Sequence, residues 1–223
     1  MKAKQTIILD MDGTIYQFNG GSFRESGIYT YIRKNSIDFI SNKLDKNILE
    51  AENIFENILE THGSTLGLSV GLEREFGLNR FEYFDFAWNL NAGEFVAANL
   101  EIKPLLFRLQ QEYDLVLLSD APRVWVNNVL EYFDIRTFFG NNIFSGEGDI
   151  RKEYDNAFQN LINKVGVAPT CCISVGDQEK TDISPAKKLG MKTVFVGKDD
   201  SSVADFSISC LNELELKLKE LKI

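Results

Sequence analysis

Histidine is nearly absent from this chain: His62 is the only one in 223 residues. A single imidazole excludes metal sites built on several histidines of one chain, and it leaves His62 as the sole possible partner for a Ser-His or Cys-His catalytic set. Proton chemistry in such a chain falls to carboxylates. Cysteine is scarce as well. Cys171 and Cys172 are adjacent inside an apolar run and Cys210 stands alone, which is neither a disulfide framework nor a CxxC metal signature, so a reducing, cytoplasmic setting is expected. Basic runs are missing. With 33 acidic residues against 24 basic and a formal charge of -9, no nucleic-acid partner is expected, because phosphate-backbone affinity needs clustered Lys and Arg. Long apolar runs are missing too. In the opening MKAKQTIILDMDG the apolar stretch lasts only from Ile7 to Leu9 before Asp10 interrupts it. Neither a signal peptide nor a membrane span of roughly 18 apolar residues is expected.

What is present is ordinary globular composition, 44% hydrophobic and 26% charged, enough for one substantial domain or a core with a smaller insertion. Without repeats or Gly/Ser linkers, organisation must be read from changes of hydrophobic period. Thr6 to Leu9, Leu115 to Leu118, Asn142 to Phe144, Cys172 to Val175 and Thr193 to Val196 read as short buried parallel strands. Helical patterns follow at Pro122 to Phe133, Tyr154 to Val165 and Asp182 to Leu189, the last ending at Gly190. Asp205 to Ser209 reads as an edge strand and Leu211 to Leu221 as a closing amphipathic helix. Alternating strands and helices predict an α/β fold with a doubly wound, parallel, Rossmann-like sheet.

From Gln17 to Lys103 the strand signal disappears. Ile28, Ile32, Ile40 and Leu44 fit one helical face, and Ile54, Phe55, Ile58 and Leu59 another. A parallel crossover needs only a dozen or so residues plus a helix, so this interval predicts a second, smaller, all-helical unit. The expected division is a core of residues 1–16 with 104–223 and a helical cap of 17–103.

The strongest local signal is Asp10-Met11-Asp12-Gly13-Thr14, directly after the first strand. Such a match arises by chance on the order of once in a thousand chains of this size. Ligands of open α/β sheets bind beyond the carboxyl ends of strands, where Asp10 falls. Two carboxylates two residues apart can approach one ligand, and Gly13 permits a backbone conformation that a β-carbon would hinder. Asp177 lies at another strand end. Together with Asp10 and a backbone carbonyl it supplies the sparse oxygen ligation that Mg²⁺ prefers. Asp182, opening the next helix, reads first as a residue complementing the helix dipole.

These features resemble the haloacid dehalogenase superfamily, with a helical cap inserted after the first strand. Asp10, Asp12 and Thr14 match its first motif, Ser119 the second, Lys152 the third, and Gly176, Asp177 and Asp182 the fourth. Within the superfamily the chain looks most like the pyrimidine 5′-nucleotidase type, through Asp12-Gly-Thr-Ile-Tyr16, Gly63-Ser-Thr-Leu66, Lys152 with Ala157-Phe158, and Val194-Phe-Val-Gly197. It departs from that type at Asp120, Glu153, Gly176 and His62, which bears on the nucleotide and not on the catalytic set.

The resemblance implies Mg²⁺-dependent hydrolysis of a small phosphate monoester through an aspartyl-phosphate. Asp10 would be the nucleophile and Asp12 the general acid and base. Asp10, the Asp12 carbonyl and Asp177 would hold the metal, Thr14, Ser119 and Lys152 the phosphoryl oxygens, with Asp182 in support. Tyr16 and Phe18, in the region that resembles the family's mobile flap, are candidates for contacting the leaving group. His62 is a pocket candidate whose plainer reading is a helix-end packing residue, and the aromatic run Phe81 to Trp88 reads as cap core. A 2-haloacid dehalogenase, a phosphomutase and a non-catalytic ligand-binding protein are alternatives on the same fold. The expected partner is a small phosphorylated metabolite.

Overall fold

A computed structural model of the chain describes residues 4–62, 67–147, 150–152 and 156–221. The Gly63 to Leu66 stretch, Glu153, and the Tyr154 start of a predicted helix lie outside the described residues. The sheet has six parallel strands: β1 (Gln5–Leu9), β2 (Tyr113–Leu118), β3 (Ile143–Phe144), β4 (Cys172–Gly176), β5 (Lys192–Val196) and β6 (Phe206–Ile208). Their order is β3-β2-β1-β4-β5-β6, every pairing parallel. The expected edge strand is therefore β6, and the α/β class holds.

Alternation along the strands explains how both faces are covered, since successive side chains point to opposite faces. Ile7, Leu9, Leu115, Leu117, Ile173 and Val175 join one apolar cluster, while Ile8, Val116, Leu118 and Cys172 join another. The first face is closed by α6 (Ile102–Glu112), α7 (Arg123–Tyr132) and α10 (Leu214–Leu221), the second by α8 (Ala157–Val165) and α9 (Ser184–Lys188). Asp182 does not open α9 as predicted. It sits in a wider turn of π type, Glu179–Ile183, that precedes it.

The inserted interval is helical: α1 (Ile28–Leu44), α2 (Ile48–His62), α3 (Gly67–Phe76), α4 (Arg80–Ala87) and the short α5 (Ala92–Phe95). Ile37, Phe39, Ile40, Phe55, Ile58 and Leu72 form an apolar cluster of their own. The predicted face of α1 is divided, because Ile28 and Ile32 pack into the main core cluster instead. At 17 residues, α1 is about 25 Å long and reaches from one cluster to the other.

The chain passes into and out of the helical unit along one path. The Asn19 amide donates to the Phe95 carbonyl at 2.9 Å and the Ala97 amide to the Gln17 carbonyl at 2.8 Å, with Phe18 and Val96 forming an antiparallel bridge. Among the described residues, no helix is long and apolar enough to cross a membrane.

Candidate active site

Sheet topology places the site. Connections run outward from β1 to β2 and β3 on one side and to β4, β5 and β6 on the other, so the crevice at the carboxyl end of β1 is the switch point where such sheets bind ligands. Leu9 pairs with Leu117 and with Val175. Asp10 therefore emerges level with the ends of β2 and β4, which deliver Ser119 and Asp177.

Asp10 is buried and held on three sides. Its amide donates to the Val175 carbonyl at 2.9 Å. The Thr14 hydroxyl donates to Oδ2 at 3.1 Å, and the Lys152 ammonium donates to Oδ1. The same ammonium reaches Asp182 Oδ1 at 2.7 Å, while the Lys152 amide donates to Asp120 Oδ1 at 2.7 Å. Lys152 is buried. Burial disfavours its charge, but the carboxylates of Asp10 and Asp182 outweigh that and raise it well above an ordinary lysine. It is a fixed cation.

Asp12 faces a different set of groups. Oδ1 accepts from the Tyr16 hydroxyl and, at 3.3 Å, from the Trp125 indole N–H; Oδ2 accepts from the Ser119 hydroxyl at 3.3 Å. The same indole N–H also donates to the Tyr16 oxygen at 3.1 Å. Burial and the neighbouring charge of Asp10 push Asp12 from 3.8 up to about 6, against the opposing hydrogen bonds of Tyr16 and Trp125. Burial and Asp12 keep the Tyr16 hydroxyl well above its usual value, so it remains a donor. Two carboxyls two residues apart are thus differentiated: one is paired with a fixed cation, the other is poised to carry a proton.

Oxygen atoms of Asp10, Asp177 and Asp182 lie within 4.8 Å of one another. Asp182 is already engaged, Oδ1 with Lys152 and Oδ2 with the Gln178 amide at 3.0 Å. Asp177 keeps one oxygen open: its Oδ1 is buried with no hydrogen-bond partner. Burial and the charges of Asp10 and Asp182 raise Asp177 to about 8, and burial and Asp10 raise Asp182 to about 6. An unsatisfied buried carboxylate oxygen amid mutually repelling carboxylates fits a hard divalent cation. Two glycines make this approach possible. A β-carbon on Gly13, whose φ is +84°, would stand 2.1 Å from Asp177 Oδ2, and one on Gly176 would stand 2.3 Å from Asp182 Oδ2.

Above these groups opens a cavity of about 620 Å³ whose lining includes Asp12, Asp120, Asp177, Phe18, Phe23 and Trp88. Phe18 therefore lines the cavity, while Tyr16, buried to 1% exposure, points its hydroxyl to Asp12 instead. His62 is not among the lining residues, and its Nε2 lies 2.7 Å from Glu75 Oε1. The aromatic run is divided. Tyr83 is core, Phe81 and Phe86 are 51% and 46% exposed, and Trp88 turns to the cavity. Sequence reasoning missed Trp125 entirely. An indole on the apolar face of a helix reads as packing, and nothing local signals that its N–H reaches Asp12.

A family model described as haloacid dehalogenase-like hydrolase matches residues 4–190. The human N-acylneuraminate-9-phosphatase is 27% identical over 143 residues, covering 61% of this chain and 58% of that protein. This chain thus spans under two thirds of that relative's length. The glyceraldehyde 3-phosphate phosphatase of Methanocaldococcus jannaschii is 26% identical, covering 97% of each chain. Among solved structures, an HAD phosphatase from Thermococcus onnurineus superposes with a TM-score of 0.65 at 22% identity, covering 96% of this chain and 97% of that one; a likeness at that identity speaks to the fold.

Proposed function

The chain belongs to the haloacid dehalogenase-like hydrolases, and on that premise we propose that it is a Mg²⁺-dependent phosphatase of small phosphate monoesters. The observation that carries this reading is the placement of Asp12, a second carboxyl two residues beyond Asp10 that accepts from Tyr16, Trp125 and Ser119 and is raised by burial and by Asp10. Phosphate-ester cleavage needs a proton for the departing alkoxide, whereas displacement of halide from carbon does not. Both relatives named above are phosphatases by name, which supports the class without choosing the substrate.

Asp10 attacks phosphorus, forming an aspartyl-phosphate as the bond to the alcohol oxygen breaks. Asp12 gives its proton to that oxygen. It then takes a proton from the water that attacks the intermediate, releasing phosphate and restoring Asp10. Ser119, Thr14 and Lys152 bind the phosphoryl oxygens, and Lys152, anchored through Asp182 and Asp120, also fixes Asp10. Asp10, the Asp12 carbonyl and Asp177 would hold the metal, with Asp182 supporting, and a cation bound there would offset repulsion between the anionic nucleophile and the phosphate. In this reading residues 1–16 and 104–223 form the catalytic core, and 17–103 form the cap over it. A nucleoside 5′-monophosphate is one substrate consistent with the resemblance.

The test is a panel of phosphate esters assayed with Mg²⁺ and with chelator. Phosphate release that requires Mg²⁺ and vanishes in Asp10→Asn is expected. Halide release from a 2-haloacid, unaffected by chelator, would overturn the reading.

A further inference from the structure

One wall of the cavity is aromatic. Phe18 meets Phe23 edge-on at 5.6 Å between ring centroids, and Phe23 lies nearly parallel to Trp88 at 6.1 Å and 27°. The three rings come from different places: Phe18 from the crossing segment, Phe23 from the turn before α1, and Trp88 from the end of α4. Phe23 and Trp88 are only half-buried in a fold that buries most of its large apolar side chains. The ionisable side chains among the described lining residues are all acidic. Asp12, Asp120 and Asp177 are there, and none of the described lining residues is Lys, Arg or His. Lys152 lies below the cavity, bound to Asp10 and Asp182.

We infer that this wall seats the leaving group, and that the alcohol part of the substrate is uncharged and presents a flat apolar face. The inference rests on the phosphatase reading for the position of the phosphate. Given that position, the alcohol extends past Asp12 into the cavity, where the rings of Phe18, Phe23 and Trp88 form the lining it would contact. A carboxylate or second phosphate on the alcohol would meet Asp120 with no Lys, Arg or His among the described lining residues to pair with it, and the charge of a bound Mg²⁺ would already be matched by Asp10, Asp177 and the phosphate. A flat neutral group gains contact there, and an anionic one loses.

Three primary esters that differ only beyond the ester carbon separate these effects: benzyl, 4-carboxybenzyl and propyl phosphate, each with Mg²⁺. Benzyl phosphate is expected to exceed propyl phosphate in kcat/KM by about three- to tenfold, the size of one aromatic contact, and the carboxylated ester to fall below benzyl by about tenfold or more. In Phe23→Leu and Trp88→Leu the benzyl-to-propyl ratio should collapse toward one. A ratio is read within each variant, so partial misfolding does not confuse it. Equal kcat/KM for benzyl and propyl esters, a carboxylated ester as good as benzyl, or an unchanged ratio in both variants overturns the inference. Calorimetric binding of benzylphosphonate and propylphosphonate to the wild-type protein gives the same comparison without turnover. If no ester is hydrolysed but benzylphosphonate binds more tightly, the subsite stands and the phosphatase reading falls; if the two phosphonates bind equally, the subsite falls.

Discussion

Asp177 occupies the space that a side chain on Gly13 would need. A β-carbon there would lie 2.1 Å from Asp177 Oδ2, and the backbone at Gly13 has a φ of +84°. The glycine of the loop after β1 and the acid at the end of β4 are therefore one fitted unit, although 164 positions separate them in sequence (177 minus 13).

Gly13→Ala should accordingly lose more than backbone freedom. The positive φ costs on the order of 1–2 kcal/mol for a non-glycine residue, and Asp177 must give way to the added β-carbon. Lower thermal stability is expected, together with loss of the Mg²⁺-induced stabilisation expected of the wild-type protein. A variant with a normal Mg²⁺-induced shift in melting temperature would contradict the fit.

Asp12→Asn keeps the shape of the side chain and removes its proton. General acid catalysis contributes about 10²- to 10⁴-fold, so hydrolysis of an alkyl phosphate should fall by at least about 10²-fold. A 4-nitrophenyl ester, whose leaving group departs without a proton, should lose much less in its first step. Rapid-quench measurement of phosphoryl transfer to Asp10 compares the two esters; equal losses would remove Asp12 from the acid role.

Tyr16 and Trp125 act on Asp12 through their donors, which favour its ionised form. Tyr16→Phe and Trp125→Phe remove those donors, so Asp12 should titrate higher than in the wild type, by up to about one unit. The descending alkaline limb of the pH–rate profile for an alkyl ester should move to higher pH by that amount. A uniform drop in rate with unmoved limbs would mean that the two rings only pack.

In chelator, stability should decline as pH rises from about 5 to 8. Burial and mutual repulsion hold Asp12 and Asp182 near 6 and Asp177 near 8, above the ordinary 3.8. The folded state therefore binds more protons than the unfolded chain. That contribution is complete below the unfolded value and is lost as pH rises through the folded ones. Asp177→Asn should flatten the slope, and so should a divalent cation with the wild-type protein. Melting temperature against pH, with and without Mg²⁺, measures both; a slope unchanged by either would refute the assignment.

Much of this was legible in the sequence because the signals were local. Short apolar runs marked the strands, since a parallel sheet buries both faces and leaves no polar alternation to obscure them. Asp10 and Asp12 were visible because two acids and a glycine directly after such a run have few packing uses. Lys152 and Ser119 became visible only through motif order, as nothing local separates Lys152 from Arg151. Three features were not legible for one physical reason, that tertiary contact decided them. The Trp125 N–H finds Asp12 only when α7 packs into the core cluster that β1 also joins. Asp182 looks like a helix-start residue until Lys152 reaches it. Ile28 and Ile40 share a helix but belong to different cores, and periodicity along one helix cannot tell one partner surface from another.

The paired segments at Gln17 to Asn19 and Phe95 to Ala97 have a consequence for how the chain tolerates change. Because the way into the helical unit lies beside the way out, the sheet is presented with a joint of fixed width whatever hangs from it. Loop-closure cost grows only slowly with loop length once the ends are held together. Within residues 20–94, changes confined to the separate cluster of Ile37, Phe39, Ile40, Phe55, Ile58 and Leu72 leave this joint in place, whereas Ile28 and Ile32 pack into the main core and tie α1 to the sheet.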